Sequence, residues 1–131
     1  MTLNLDFLKP YAGVFLRLAL GVIFVYHGWP KVFGEGSGLG TSWNPADMNV
    51  MLQILVSWGE LLGGIAFLAG FLTDYAAIGI IVIMAGAVIT VHGENGFGMA
   101  NGGFEYNFVI ICMCLSLMAT GPGRWTVQLR K

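Results

Sequence analysis

The chain has 131 residues, 56% hydrophobic and only 10% charged, with a mean hydropathy of +0.77 and a net charge of −1. Soluble domains carry roughly 25% charged residues, so the composition excludes an ordinary soluble fold and gives no basis for binding nucleic acid. The length is that of a single domain, residues 1–131, in a membrane protein.

The first apolar run is Tyr11 to Trp29 (YAGVFLRLALGVIFVYHGW). It is too long for the core of a signal peptide, contains Arg17 and lacks a small-x-small cleavage site, so it reads as a retained helix over 11–29. A polar, Gly-rich stretch, Pro30 to Met51, leads to a second run, Leu52 to Phe71, and a span over 52–72. Only Thr73–Asp74 separates this from a third span, 74–92, which predicts a tight hairpin. Gly93 to Phe104 then links to a fourth span, 105–121. A span needs roughly 20 apolar residues, so the last two are short. Backbone groups in lipid must be satisfied within the segment, which predicts helices. The expected fold is all-α, an up-down four-helix transmembrane bundle. Lys9, Arg124, Arg130 and Lys131 gather on one side, against Lys31, Glu35, Asp47, Glu94 and Glu105 on the other. That Lys/Arg bias predicts both termini in the cytoplasm. The pairs Gly21/Gly28, Gly59/Gly63 and Gly79/Gly86 are expected to let helix backbones approach, within the bundle or across a homodimer face.

Arg17 and Glu60 lie inside the first two runs. A charge at the bilayer centre costs about 3 kcal/mol or more and marks a partner, a cavity or a pathway. Counted down from the outer rim at 1.5 Å per residue, the two lie at similar depth, about 15 and 12 Å, so they are expected to pair. The pair reads either as a staple fixing helix register or as the polar floor of a ligand- or proton-handling site. Gln53, Ser57, Glu60 and Gly64 share one helical stripe, a polar track toward that floor.

His27 and Lys31 are an i, i+4 pair on the face of Arg17. By topology they meet His92, Glu94, Glu105 and Tyr106 at one outward mouth. Individually these are a snorkelling lysine, a helix-dipole carboxylate and a belt tyrosine; together they suggest a site. The His residues and carboxylates are of types that ligate Zn, Fe or Cu(II), but H-x-x-x-H and E-x-x-H spacings are missing, which argues against a metal without ruling it out. A quinone headgroup needs hydrogen-bond donors and a group that exchanges protons near neutrality. His27 and His92 suit this role, with donors from Lys31, Tyr106 and Arg17 and apolar walls from Phe24, Phe97, Phe104 and Phe108. Cys112 and Cys114, two apart on a helix, face opposite ways and read as packing residues. Gly34 to Gly40 lacks the strand and lysine of a phosphate loop.

The run Arg17-x3-Gly21-x2-Phe24-x2-His27-Gly28-x2-Lys31-x2-Gly34 resembles the first helix of the DoxX family. Glu60-x2-Gly63-Gly64 with Gly70-x2-Thr73, and His92-x3-Gly96-Phe97 with Gly102-Gly103-x-Glu105-Tyr106, resemble its later helices and outer loop. Gly121-Pro122-Gly123-Arg124 resembles its C-terminal end, although the family's frequent Ser-x-Asp is replaced here by Trp125-Thr126-Val127-Gln128. The resemblance implies a small four-helix protein of the bacterial or archaeal plasma (inner) membrane. It also implies a place in a quinone-linked oxidoreductase system, as for the small subunits of thiosulfate:quinone oxidoreductases. In that reading His27 and His92 bind or exchange protons with a headgroup, and Glu60 and Arg17 form the buried floor. Lys31, Glu105 and Tyr106 tune charge and donate hydrogen bonds. The alternative is a non-catalytic accessory or assembly subunit of a larger respiratory or oxidoreductase complex. Protein partners or a homo-oligomer are expected either way. A transporter is disfavoured by the lack of an inverted repeat.

Overall fold

The computed structural model describes residues 3–44 and 48–127. Asp47, Gln128, Arg130 and Lys131, which enter the charge-bias and C-terminal arguments, lie outside the described residues. A 3-10 turn, Asp6–Tyr11, leads into α1 (Ala12–Phe33); α2 is Val50–Ala69, α3 Thr73–Ala87 and α4 Glu105–Thr120. The described residues contain no strand. Three helical stretches, Asp6–Phe33, Val50–Ala69 and Thr73–Asn95, are long and apolar enough to cross a membrane, and Glu105–Thr120 is a shorter apolar helix. The third reaches that length because α3 continues through a π-turn, Val88–His92, and a 3-10 turn, Gly93–Asn95.

Each helix buries one stripe at the i, i+3/i+4 spacing of a helical face. On α1 the stripe is Val14, Arg17, Leu20, Gly21, Phe24 and Gly28, and on α4 Asn107, Ile110, Cys114 and Leu117. The shared core joins Leu20, Phe24, Phe67, Ile80, Met84, Ile110, Cys114 and Leu117. Cys112, on the opposite face from Cys114, is exposed. Packing runs in a ring: α1 on α2, α2 on α3, α3 on α4 and α4 on α1.

Glycines set the closest approaches. The α1–α2 seam is tightest where Gly28 lies on the Leu61 backbone and Gly64 lies on Gly21 and Val25, which shows that the two helices run antiparallel. Gly59 and Gly63 face Ile83 and Ile80 of α3, while Gly79 and Gly86 face open space. Both expected pairs on α1 and α2 therefore pack inside the chain. The α2–α3 hairpin turns at Gly70–Leu72, ahead of the Thr73–Asp74 that the sequence suggests. Gly70 takes the left-handed conformation (φ 67°), and the Phe71 and Gly70 amides return to the carbonyls of Ala66 and Phe67, closing a Schellman motif. Asn49 caps the other end of α2, its side chain accepting from the Met51 amide at 2.8 Å.

Arg17 does not meet Glu60. Its Nε donates to the Phe67 carbonyl at 2.9 Å, at the C-terminal end of α2. Nη1 donates to the carbonyls of Pro122 and Arg124, both at 2.9 Å, and Nη2 to that of Trp125 at 3.0 Å. The guanidinium, set against Gly70, thus binds the segment after α4 to the ends of α1 and α2. Four carbonyl dipoles and the negative end of α2 compensate the charge in place of a carboxylate. The expected pairing fails because the ends of α1 and α2 are not flush. α1 runs one turn past Trp29, through Pro30, to Phe33. Even so, the 28-to-61 and 21-to-64 contacts leave the first turns of α2 projecting beyond it. The link between the helices folds back onto those turns: Gly40 lies on Ser57, and the Trp58 indole donates to the Leu39 carbonyl at 3.0 Å. The level of Glu60 is consequently that of Lys31.

Candidate functional site

Lys31 Nζ lies 2.6 Å from Glu60 Oε2. The Glu60 side chain is 6% exposed and that of Lys31 22%, so the carboxylate is sunk and the ammonium reaches it from a wetter position. Stem packing with the head directed at a partner is the usual behaviour of lysine near an apolar surface. The Trp43 ring covers the ammonium, 4.6 Å from Nζ to the ring centroid, adding a cation–π contact. Trp43 is held in turn by its indole N–H donating to the Gln53 carbonyl at 3.0 Å. The Gln53 side chain accepts from the Asn44 amide and donates to the Met48 carbonyl, both at 2.9 Å.

This ion pair lines a cavity of about 790 Å³ that all four helices border. α1 contributes Phe24, His27 and Lys31, on one face at spacings of three and four. α2 contributes Leu52, Leu55, Val56 and Glu60, and α4 contributes Tyr106 and Asn107. From α3 and its π-turn come Val82, Ile83, Met84, Ala87, Val91 and His92. The volume falls within the roughly 300–1,000 Å³ of small-molecule sites, and the few polar groups in an apolar wall are typical of them.

The His27 and Tyr106 rings approach edge-on, 6.3 Å between centroids. His92 Nδ1 lies 2.7 Å from the Gly102 carbonyl. A carbonyl only accepts, so Nδ1 carries the proton and Nε2 of the neutral ring is left as an acceptor. The same carbonyl takes the Asn95 side-chain N–H at 3.2 Å. The loop before α4 is closed further by the Met99 amide donating to Glu105 Oε2 at 3.0 Å. Asn107, buried at the back wall, donates to Met84 Sδ at 3.5 Å.

The structure therefore brings His27, Lys31, Glu60, His92 and Tyr106 around one space. Arg17 lies outside it, at the far end of α1. Glu105 lines no part of it and braces the loop, and Glu94 is exposed elsewhere. Of the expected aromatic walls only Phe24 is in place. Phe97, Phe104 and Phe108 cluster with one another, because the loop folds Phe97 back onto the start of α4. The Gln53–Ser57–Gly64 stripe is likewise no track into the site. It is the face on which the α1–α2 link and α1 itself pack, with Gln53 and Ser57 occupied by that link. Trp43 is a site residue that no motif or spacing in the sequence marks; the fold of the α1–α2 link brings it over Lys31. Among the described residues, no three His, Cys, Asp or Glu side chains gather as a metal site would require. Chemically, the arrangement can seat a flat, largely apolar molecule, offer it N–H and O–H donors, and hold a proton beside it.

Residues 12–93, which include His27, Lys31, Glu60 and His92, match the family model DoxX, a family of small membrane proteins. The chain is also 35% identical to an uncharacterized protein of Haemophilus influenzae over 124 residues, 92% of this chain and 90% of that protein. No solved structure matches.

Proposed function

The chain belongs to the DoxX family, and we propose that it is an integral membrane subunit of a quinone-linked oxidoreductase system, holding a quinone headgroup in the four-helix cavity. In this reading the protein is an up-down bundle in the bacterial or archaeal plasma membrane, with both termini cytoplasmic. The grouping of Lys9 and Arg124 at the terminal end, against Lys31 at the other, supports that orientation. The observation that carries the proposal is the Lys31–Glu60 ion pair set in the wall of a largely apolar cavity. A buried ion pair is weak evidence for stability. Facing an apolar cavity large enough for a ligand, it supports a polar recognition point.

The residues fit a quinone ring. Lys31 and Tyr106 supply donors to its carbonyl oxygens, and Phe24, Ile83 and Met84 supply the apolar bed. Bound there, a quinone supplies two-electron, two-proton redox chemistry. Glu60 positions the Lys31 ammonium, 2.6 Å away, at the cavity wall. His27 and His92 are the groups suited to exchange protons at neutral pH, and Nε2 of His92 is the free acceptor for one. The Trp43 ring face holds the ammonium in place by a cation–π contact. The test is purification in native nanodiscs with extraction of bound quinone, comparing wild type with His27→Ala and checking helicity in both. Stoichiometric quinone in the wild type, lost from an intact His27→Ala variant, is the expected result. No quinone in the wild type, with the chain arriving only alongside large partner subunits, would replace this reading with an accessory role.

A further inference from the structure

We propose that the cavity is loaded sideways from the bilayer, through a cleft between the first turns of α2 and the last turns of α3, and that its occupant carries a hydrocarbon tail lodged in that cleft. The proposal rests on the quinone reading above and extends it to the class of quinone and its route.

α2 and α3 touch near their hairpin, where Gly63 faces Ile80 and Gly59 faces Ile83. Beyond Gly59 the cavity lies between them: Leu52, Leu55 and Val56 line one side, and Val82, Ala87 and Val91 the other. Four of these six are more than half exposed: Leu52 53%, Leu55 59%, Val82 65% and Val91 52%. Residues that both line a cavity and lie open on the outside of a bundle mark the side on which the cavity opens. All six are apolar, so that opening faces hydrocarbon.

The backbone keeps the cleft wide and dry. A Cβ built at Gly86 would meet nothing within 4 Å, so the α3 wall is set back there. α3 changes to π geometry just beyond, a change that frees a carbonyl from the helical ladder. Thr90 Oγ1 donates to the Gly86 carbonyl at 2.9 Å, which quenches polarity on the cleft wall. The loop-side end of the cavity is bordered instead by loop residues, Trp43, Met48, Met99 and Gly102 among them. The Trp43–Gln53–Met48 hydrogen bonds hold one loop over it, and the His92–Gly102 bond holds the other. A molecule dissolved in lipid therefore has an apolar route that ends at Lys31, Glu60 and Tyr106. A polar head at that floor and a tail between Leu55 and Val82 is the arrangement this shape accepts.

The experiment measures binding of decylubiquinone, which has a tail, and duroquinone, which has none, by tryptophan fluorescence quenching of the full chain in nanodiscs. Gly86→Leu adds an apolar side chain at the cleft wall, where its Cβ meets nothing within 4 Å. Gly79→Leu, two turns away on the same helix and also facing open space, is the control. Losing several buried methylenes predicts that Gly86→Leu weakens decylubiquinone at least about tenfold while duroquinone changes by less than about twofold. Gly79→Leu is expected to leave both unchanged. Equal weakening of both quinones by Gly86→Leu, or of neither, would overturn the lateral route while leaving the quinone site standing. Failure of the wild type to bind either quinone would overturn the site and the route together.

Discussion

The partner of Glu60 can be decided by two double-mutant cycles. In the first, Lys31→Met removes the ammonium 2.6 Å from a carboxylate whose side chain is 6% exposed. Stranding one member of a buried pair costs about 3–5 kcal/mol, and the 22% exposure of Lys31 places this case near the lower figure, about 3 kcal/mol. Glu60→Gln should cost less, about 1–2 kcal/mol, because the ammonium keeps the Trp43 ring and can reach water. The double variant strands nothing, so the cycle should return a coupling of about 2 kcal/mol. The second cycle pairs Arg17→Met with Glu60→Gln. Arg17 alone should be costly, about 3 kcal/mol, since four hydrogen bonds from a charged donor are lost and only the carbonyls after α4 regain water. Its contact on α2 is Phe67, seven residues or roughly 10 Å along the helix from Glu60, so the coupling should stay within about 0.5 kcal/mol. The assay is unfolding in mixed micelles with rising SDS fraction, followed by far-UV circular dichroism. Coupling above about 1 kcal/mol between positions 17 and 60, or strict additivity between 31 and 60, would refute the assignment.

Three other outcomes follow from the packing. Gly64→Leu should destabilise by about 2 kcal/mol or more in the same assay, because its Cβ would sit 2.6 Å from the Val25 amide nitrogen, while Gly79→Leu should be close to neutral. Arg17→Met should loosen the segment after α4 and speed tryptic cleavage after Arg124 several-fold, read by mass spectrometry; unchanged cleavage would show that the segment is held some other way. A maleimide reagent that partitions into detergent should add one label to the folded protein, at Cys112, and a second at Cys114 only on unfolding.

The helices were legible because each carries the apolar run that lipid demands, and the third and fourth were placed almost to the residue. Composition alone could not give the offset between α1 and α2. The sequence shows where hydrophobicity fades, near Trp29 and Leu52, but α1 continues through Pro30 and α2 starts above its end. That offset decided the charge pairing. With one buried carboxylate and two cations on one face of α1, Lys31 and Arg17, the choice between them depends on depth, and depth depends on how the intervening link folds. The convergence of His27, Lys31, His92 and Tyr106 was legible, since a four-span topology puts them at one end whatever the register. The role of Glu105 was not. A carboxylate at a helix start has the same sequence signature whether it faces a ligand or closes a loop on the Met99 amide.

Arg17 and Lys31 mark unequal ends of the bundle. At one end Arg17 gathers four carbonyls from two elements, Gly70 closes the α2–α3 hairpin, and the segment after α4 is bound down. At the other, the α2–α3 seam opens past Gly59, α3 unwinds into a π-turn, and the helices are separated by a cavity with loops over it. Helices in lipid gain little hydrophobic force from closing on one another, so packing and hydrogen bonds have to hold them together around a space of this size. The Arg17 cluster, which touches no part of the cavity, supplies that constraint. Arg17, expected at the floor of the site, instead ties the segment after α4 to the end of α2, away from the cavity.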